Sequence, residues 1–270
     1  MRVIIEKNDE KVGEIAALYV MKKINEFEPQ SNKYFVLGLP TGSTPLTMYK
    51  YLIKFYNEGR ISFKFVKTFN MDEYVGLARD DPQSYHSFMY DNFFRHIDID
   101  PRNVNIPDGN ADDLTEECVK YEKKIDEAGG IHLFIGGVGS DGHIAFNEPG
   151  SSLNSRTRVK SLAYETIMAN ARFFMNDTSK VPKQAITVGI GTIMDANEVM
   201  ILITGKHKAL AAKHAIEGHI GHTWTVAALQ LHPNTLFIID EAACLEMKLK
   251  TVKYFEDLSE NIVKIIKQQW

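Results

Sequence analysis

The residues best suited to chemistry are densest between Gly136 and Gly150, in the stretch GGVGSDGHIAFNEPG, where Asp141, His143 and Glu148 lie within a few positions of one another. Five glycines and Pro149 make the backbone there irregular. A histidine moves protons near neutral pH, and does so best when a carboxylate fixes its tautomer and orientation. The apolar run Ile131 to Ile135 just before it reads as a buried strand. Loops at the carboxyl ends of strands are where open α/β sheets hold their ligands. Taken alone, Asp-Gly-His would pass for a tight turn with an incidental histidine, but three further loops of similar build argue against that.

The first is Leu39-Pro40-Thr41-Gly42-Ser43-Thr44-Pro45, a strand–loop–helix junction rich in hydroxyls. Backbone N–H groups at a helix start, with the hydroxyls of Thr41, Ser43 and Thr44, suit a phosphate. The loop lacks the lysine of a nucleotide P-loop, which argues against a nucleoside triphosphate. The same residues would also serve as an N-cap with Pro45 at the first helical position. The second, Asn70-Met71-Asp72-Glu73-Tyr74, puts adjacent carboxylates at a strand end, where partial burial would raise a pKa and fit it for proton abstraction. The third, Gly205-Lys206-His207-Lys208, offers a cation, and Arg172 offers another; a dianion needs such a charge beside amide donors. The set forms a metal-free site suited to a sugar phosphate that opens its ring and loses a proton next to a carbonyl.

Positioning these loops requires alternating strands and helices. The pattern predicts strands at Arg2–Glu6, Tyr34–Gly38, Val66–Asn70, Ile131–Ile135, Gln184–Gly189, Val199–Thr204 and Thr235–Asp240. It predicts helices over about 9–27, 45–57, 84–96, 112–128, 163–175 and 208–217, and a last helical stretch within 251–270. Strands separated by helices imply parallel βαβ units with right-handed crossovers. The expected fold is therefore a single doubly wound, mostly parallel, Rossmann-like α/β domain spanning 1–270, with the polar segment 151–161 as a lid or small excursion.

The 270 residues can bury one large α/β core. A net charge of -4 and a pI near 6.1 point away from a nucleic-acid surface. No apolar run approaches bilayer length, and the first residues are too acidic for a signal peptide. Cys118 and Cys244 are distant from each other and lack metal-ligand spacing, so the expected compartment is the reducing cytoplasm, without structural zinc.

At LPTGSTP, NMDEY, the neighbouring DPQSY (Asp81–Tyr85) and GGVGSDGHIAFNEPG, the chain resembles the glucosamine-6-phosphate deaminases essentially from end to end. That resemblance implies a cofactor-free enzyme converting glucosamine 6-phosphate and water to fructose 6-phosphate and ammonia. It implies Asp72 as enolisation base and His143 as ring-opening acid/base, with Asp141 and Glu148 as partners of His143. Phosphate binding would fall to Gly42, Ser43, Arg172 and Lys208. The longer members are homohexamers activated by N-acetylglucosamine 6-phosphate bound between subunits. Ser151, Arg158, Lys160 and Tyr254 match that activator site, and Ser161 stands where threonine is expected.

Two rivals fit less well. The 6-phosphogluconolactonases share the Asp-Gly-His turn, but Ala-Ser-Leu-Phe-Pro is expected after it. Here Ile144-Ala145-Phe146-Asn147-Glu148-Pro149 follows, and a lactonase has no need of a base at Asp72. A sugar-phosphate sensor controlling transcription would bring a DNA-binding helix-turn-helix, for which a strand at residue 2 and a short tail leave no room.

Overall fold

The computed structural model describes residues 1–268 and builds them around a seven-stranded parallel sheet. Strands β1 (Arg2–Glu6), β2 (Phe35–Leu39) and β3 (Val66–Asn70) alternate with helices α1 (Asp9–Phe27) and α2 (Leu46–Asn57). Next come β4 (Asp72–Tyr74), α3 (Tyr85–Asn92), β5 (Val104–Asn105), α4 (Leu114–Glu127) and β6 (Leu133–Gly137). They are followed by β7 (Arg158–Ser161), α5 (Tyr164–Asn170), β8 (Gln184–Thr187), α6 (Ile190–Met194) and β9 (Val199–Ile203). Helix α7 (Ala209–Glu217), β10 (Thr235–Asp240) and α8 (Leu249–Gln268) complete the chain. Gln269 and Trp270, the end of the expected helical tail, lie outside the described residues.

Local signals set the helix ends. Asn8 accepts the Lys11 N–H at 3.0 Å at the start of α1, and Asp113 accepts from Thr115 and Glu116 at the start of α4. Helix α2 departs from expectation: Pro45 occupies the N-cap, not the first helical position, and no side chain caps it. The hydroxyls of its loop are thus not spent on the helix. The stretch expected as one helix over 163–175 is α5 plus a 3-10 turn, Ala171–Phe173, and ends where Met175 and Asn176 adopt left-handed conformations.

The main sheet runs β1-β10-β9-β6-β2-β3-β5. Side chains alternate between its faces. Ile4, Leu37, Ile135, Leu202 and Ile238 pack with α1 and α2, while Val36, Phe134, Ile201, Phe237 and Ile239 pack with α4 and α7. From β2 the chain winds to β3 and β5, and from β6 it winds the other way to β9 and β10. Adjacent β2 and β6 therefore flank the topological switch point, where the crevice of an open α/β sheet forms.

The strand expected at Gln184–Gly189 does not join this sheet. It is the centre of a second, antiparallel sheet, β4-β8-β7, pairing Asp72 with Thr187 and Arg158 with the same Thr187. Periodicity marks a strand but not its partners, and here the partners are NMDEY and part of the polar 151–161 segment. That segment is firmly tied down. Glu122 accepts from the Thr157 N–H at 2.8 Å and from the hydroxyls of Thr157 and Thr192, and pairs with Arg156 at 2.6 Å. Ser155 accepts the Gly191 N–H on its carbonyl at 2.9 Å.

Candidate active site

A cleft of about 550 Å³ opens at the carboxyl ends of β2, β3, β6 and β9. Seven of the expected site residues line it: Gly42, Ser43, Asp72, Asp141, His143, Arg172 and Lys208. Each follows the carboxyl end of a strand of the main sheet, Asp72 as the first residue of β4 just past β3, except Arg172, which comes from the 3-10 turn after α5.

Asp72 is only 7% exposed. Burial, together with the charge of neighbouring Glu73, pushes its carboxyl up to about 8. Alternation along β4 turns Glu73 away from its neighbour, and the Glu73 carboxylate accepts three backbone N–H groups: Tyr74 at 2.8 Å, Tyr85 at 3.0 Å and His86 at 2.8 Å. These bonds fasten the start of α3 to β4. Burial still leaves Glu73 above its ordinary value, the amide bonds opposing the rise. The adjacent carboxylates thus divide the work: one faces the cleft, the other holds the frame.

His143 Nδ1 lies 2.7 Å from Asp141 Oδ1, although the ring is turned so that no well-aligned hydrogen bond joins them. Burial tends to raise the Asp141 carboxyl, but its contacts with His143 prevail and hold it below its ordinary value. The turn is possible because residue 139 is glycine. A Cβ there would fall 2.3 Å from His143 Cε1 and 2.6 Å from Asp141 Oδ1. Ala145, just beyond, holds φ at 52°, a costly conformation for a residue with a side chain. Glu148 stands apart from the cleft lining: its Oε1 accepts the Ala163 N–H at 2.7 Å, tying the loop that carries His143 to the entry of α5.

Opposite lies a cationic corner. Lys208 Nζ donates to Thr44 Oγ1 at 3.0 Å. Burial, and then the charge of Arg172, lower the Lys208 ammonium to about 8, while Asp240 opposes the shift. Asp240 also accepts the Gly205 N–H on both carboxylate oxygens and so fixes the loop that carries Lys208. Gly42 takes a φ of 98°, which bends the 40–45 loop around this corner and which a residue with a Cβ rarely adopts. Two cations brought together beside loop amides and hydroxyls favour an anion of charge near -2.

The remaining wall is aromatic. Tyr74, Tyr85, Phe146 and Phe174 pack on one another, with Tyr85 and Phe146 stacked at 8°. Sequence reasoning had Tyr74 and Tyr85 inside its motifs but assigned them no place. Their apolar partners lie about 60 to 100 positions further along the chain, so only folding brings them together. It also missed Asn147, which is fully buried and fully hydrogen-bonded.

The five positions matching an activator site fall into two groups. Arg158, Lys160 and Ser161 lie on β7; Ser151, buried and with no partner for its hydroxyl, follows the loop that carries His143 and Glu148. Tyr254 is 59% exposed on α8, a helix that packs against β1 and α1. Among the described residues no cluster of His, Cys, Asp and Glu could hold a metal ion, and no helix is long and apolar enough to cross a membrane.

Comparison with known proteins agrees with this architecture. Residues 7–238 match the model of the glucosamine-6-phosphate isomerase/6-phosphogluconolactonase family. The chain is 65% identical to the glucosamine-6-phosphate deaminase of Drosophila melanogaster, over 97% of this chain and 96% of that one. It is 66% identical to the Caenorhabditis elegans enzyme of the same name, over 96% of each. A solved monomeric glucosamine-6-phosphate deaminase superimposes with a TM-score of 0.87 at 43% identity, covering 90% of this chain and 99% of that one. The 6-phosphogluconolactonase of Trypanosoma cruzi shares the fold, with a TM-score of 0.73 at 20% identity, covering 92% and 97%. The chain belongs to the glucosamine-6-phosphate isomerase/6-phosphogluconolactonase family, on its glucosamine-6-phosphate deaminase branch.

Proposed function

We propose that this protein converts glucosamine 6-phosphate and water to fructose 6-phosphate and ammonia, the activity named for its relatives at 62–66% identity. The observation that carries the mechanism is the buried Asp72 carboxyl, poised at about 8, in one cleft with the His143–Asp141 pair and the Lys208–Arg172 corner. Phosphate rests on the Gly42 and Ser43 loop and on Lys208 and Arg172. His143, oriented by Asp141, takes the anomeric hydroxyl proton and returns one to the ring oxygen, opening the sugar to its aldehyde. Asp72 then removes the proton from C2. The C–H electron pair forms a C1–C2 double bond while the aldehyde oxygen takes up a proton from the substrate's 2-ammonium group by way of water, giving an enolamine. Return of that proton to C1 leaves an imine at C2, and water replaces its nitrogen, releasing ammonia. Glu148 supports His143 through the loop that both occupy.

The same reading makes the protein a cofactor-free cytoplasmic homohexamer, activated by N-acetylglucosamine 6-phosphate. Ser151, Arg158, Lys160 and Ser161 form one half of the effector site, on the 151–161 segment. Tyr254, on α8, joins from a neighbouring subunit. The test is to supply glucosamine 6-phosphate and measure ammonia and fructose 6-phosphate together, with and without the acetylated sugar. Equal yields of both products are expected, with the velocity curve shifted to lower substrate by the effector. No ammonia rejects the activity; hyperbolic curves indifferent to effector reject the activation.

A further inference from the structure

Asn147 is 0% exposed and uses every hydrogen-bonding position of its side chain. Its Nδ2 donates to the carbonyls of Ile144 at 2.9 Å and Val188 at 2.8 Å. Its Oδ1 accepts from Arg158 Nη1 at 2.9 Å and from the Ser155 hydroxyl at 3.4 Å. Its own carbonyl accepts the Thr225 hydroxyl at 2.7 Å. The bonds lead to separate segments of the chain around the cleft. Ile144 immediately follows His143. Val188 donates its N–H to the Met71 carbonyl at 2.8 Å, next to Asp72, and extends the strand that pairs with Asp72. Arg158 lies opposite that same strand on its other side.

We propose that Asn147 is a positioning residue that couples an anion bound at Arg158 to the geometry of His143 and Asp72. Resting on the functional reading above, the proposal adds the physical link between its two sites. An arginine fork presents several N–H donors in one plane. One of them is committed to Asn147 and another to the Arg156 carbonyl at 3.3 Å. An anion that draws the guanidinium outward weakens or reorients the bond to Asn147 Oδ1. The amide is planar and buried, so it cannot turn at one end without moving its two Nδ2 bonds at the other. Those bonds end on the backbone beside the ring-opening histidine and on the backbone beside the base. A bond lost there leaves a buried carbonyl without a donor, so the amide and both segments move together.

The test uses the full chain, its Asn147→Ala and Asn147→Asp variants, and N-acetylglucosamine 6-phosphate as the anion. Three quantities are read: effector binding by calorimetry, amide hydrogen exchange across 142–147, and half-saturation by glucosamine 6-phosphate. In the unaltered protein, effector is expected to change exchange across 142–147 and to lower half-saturation, within the range of about five- to hundredfold typical of coupled sites. Both variants are expected to bind effector yet to show neither response, with kcat reduced more than KM is raised. A purely structural asparagine would lower stability and leave the response intact. Variants that respond like the unaltered protein overturn the proposal, as does an unaltered protein whose 142–147 exchange ignores bound effector. If glucosamine 6-phosphate is not turned over but the exchange response appears and is abolished at Asn147, the functional reading fails and the coupling stands. Should both variants fail to fold, Arg158→Lys tests the link from its other end. It keeps a cation for the anion but not the planar donor pair, and is expected to bind effector weakly without any change across 142–147; a retained change overturns the proposal.

Discussion

Replacing Asp72 by asparagine separates the cost of burying a carboxylate from its use. An unfolded aspartate titrates at 3.8, whereas in the cleft Asp72 is pushed up to about 8. Because the folded value is the higher, the folded state binds the proton more tightly. This group's contribution to stability is therefore fully present below pH 4 and is lost as pH rises towards 8. At 1.36 kcal/mol per unit, the unfavourable contribution is on the order of 2 kcal/mol at pH 5 and about 4 kcal/mol at pH 7. Asparagine pays neither. The stability of Asp72→Asn relative to the unaltered protein should thus improve by about 2–3 kcal/mol between pH 5 and pH 7. Urea denaturation of both proteins at the two pH values, at one protein concentration, measures this double difference, in which other titrating groups cancel. Over the same range the variant should lose on the order of 10²-fold or more in turnover, the usual scale for removing a general base. A difference independent of pH would show that Asp72 is ionised and solvated in the folded protein, and would remove the physical basis for its role as base.

Other perturbations probe the remaining parts of the cleft. Lys208→Met deletes a charged donor from the cationic corner and should raise KM for glucosamine 6-phosphate about ten- to hundredfold, the worth of a charge-assisted hydrogen bond, with a smaller change in kcat; steady-state kinetics checks it. Gly139→Ala puts a methyl group 2.3 Å from the His143 ring, so the ring must leave Asp141, and kcat should fall at least tenfold in a protein that circular dichroism still finds folded. Glu122→Ala strips a partly buried carboxylate from two threonine hydroxyls, a backbone N–H and Arg156, and should cost about 2–4 kcal/mol in urea melts. Burial alone would raise the Glu122 carboxyl, but those bonds hold it below its ordinary value. Its stabilisation is accordingly present above pH 5 and lost as pH falls through the lowered value, so the cost of Glu122→Ala should shrink in acid, opposite in sign to the pH trend at Asp72.

Much of the architecture can be read directly from the chain. The runs Arg2–Glu6, Val66–Asn70 and Thr235–Asp240 are apolar enough to be strands wherever they pack, and each is a strand in the structure with those bounds. Helix α1 begins at its Asn8 cap and spans the range its apolar spacing marks out. The loops richest in glycine, hydroxyls and charge follow strands, and a parallel sheet brings the carboxyl ends of its strands to one side. That is enough to gather Ser43, Asp72, His143 and Lys208 in one cleft. These properties are local: hydrophobic period, cap chemistry and the order of elements survive being read one window at a time.

Tertiary structure decided what depends on a partner distant in sequence. The strand at Gln184–Thr187 joined Asp72–Tyr74 and Arg158–Ser161 in a separate antiparallel sheet, because pairing depends on which edges meet and not on periodicity. Glu148 acquired the Ala163 N–H, and Asn147, an unremarked residue in a motif, became the junction of three segments. Nor does a sequence contain the basicity of Asp72. The residue types at 72 and 73 supply two carboxylates, and the fold buries both; that Glu73 receives three backbone N–H donors while Asp72 lines the cleft without them depends on what is packed around each group.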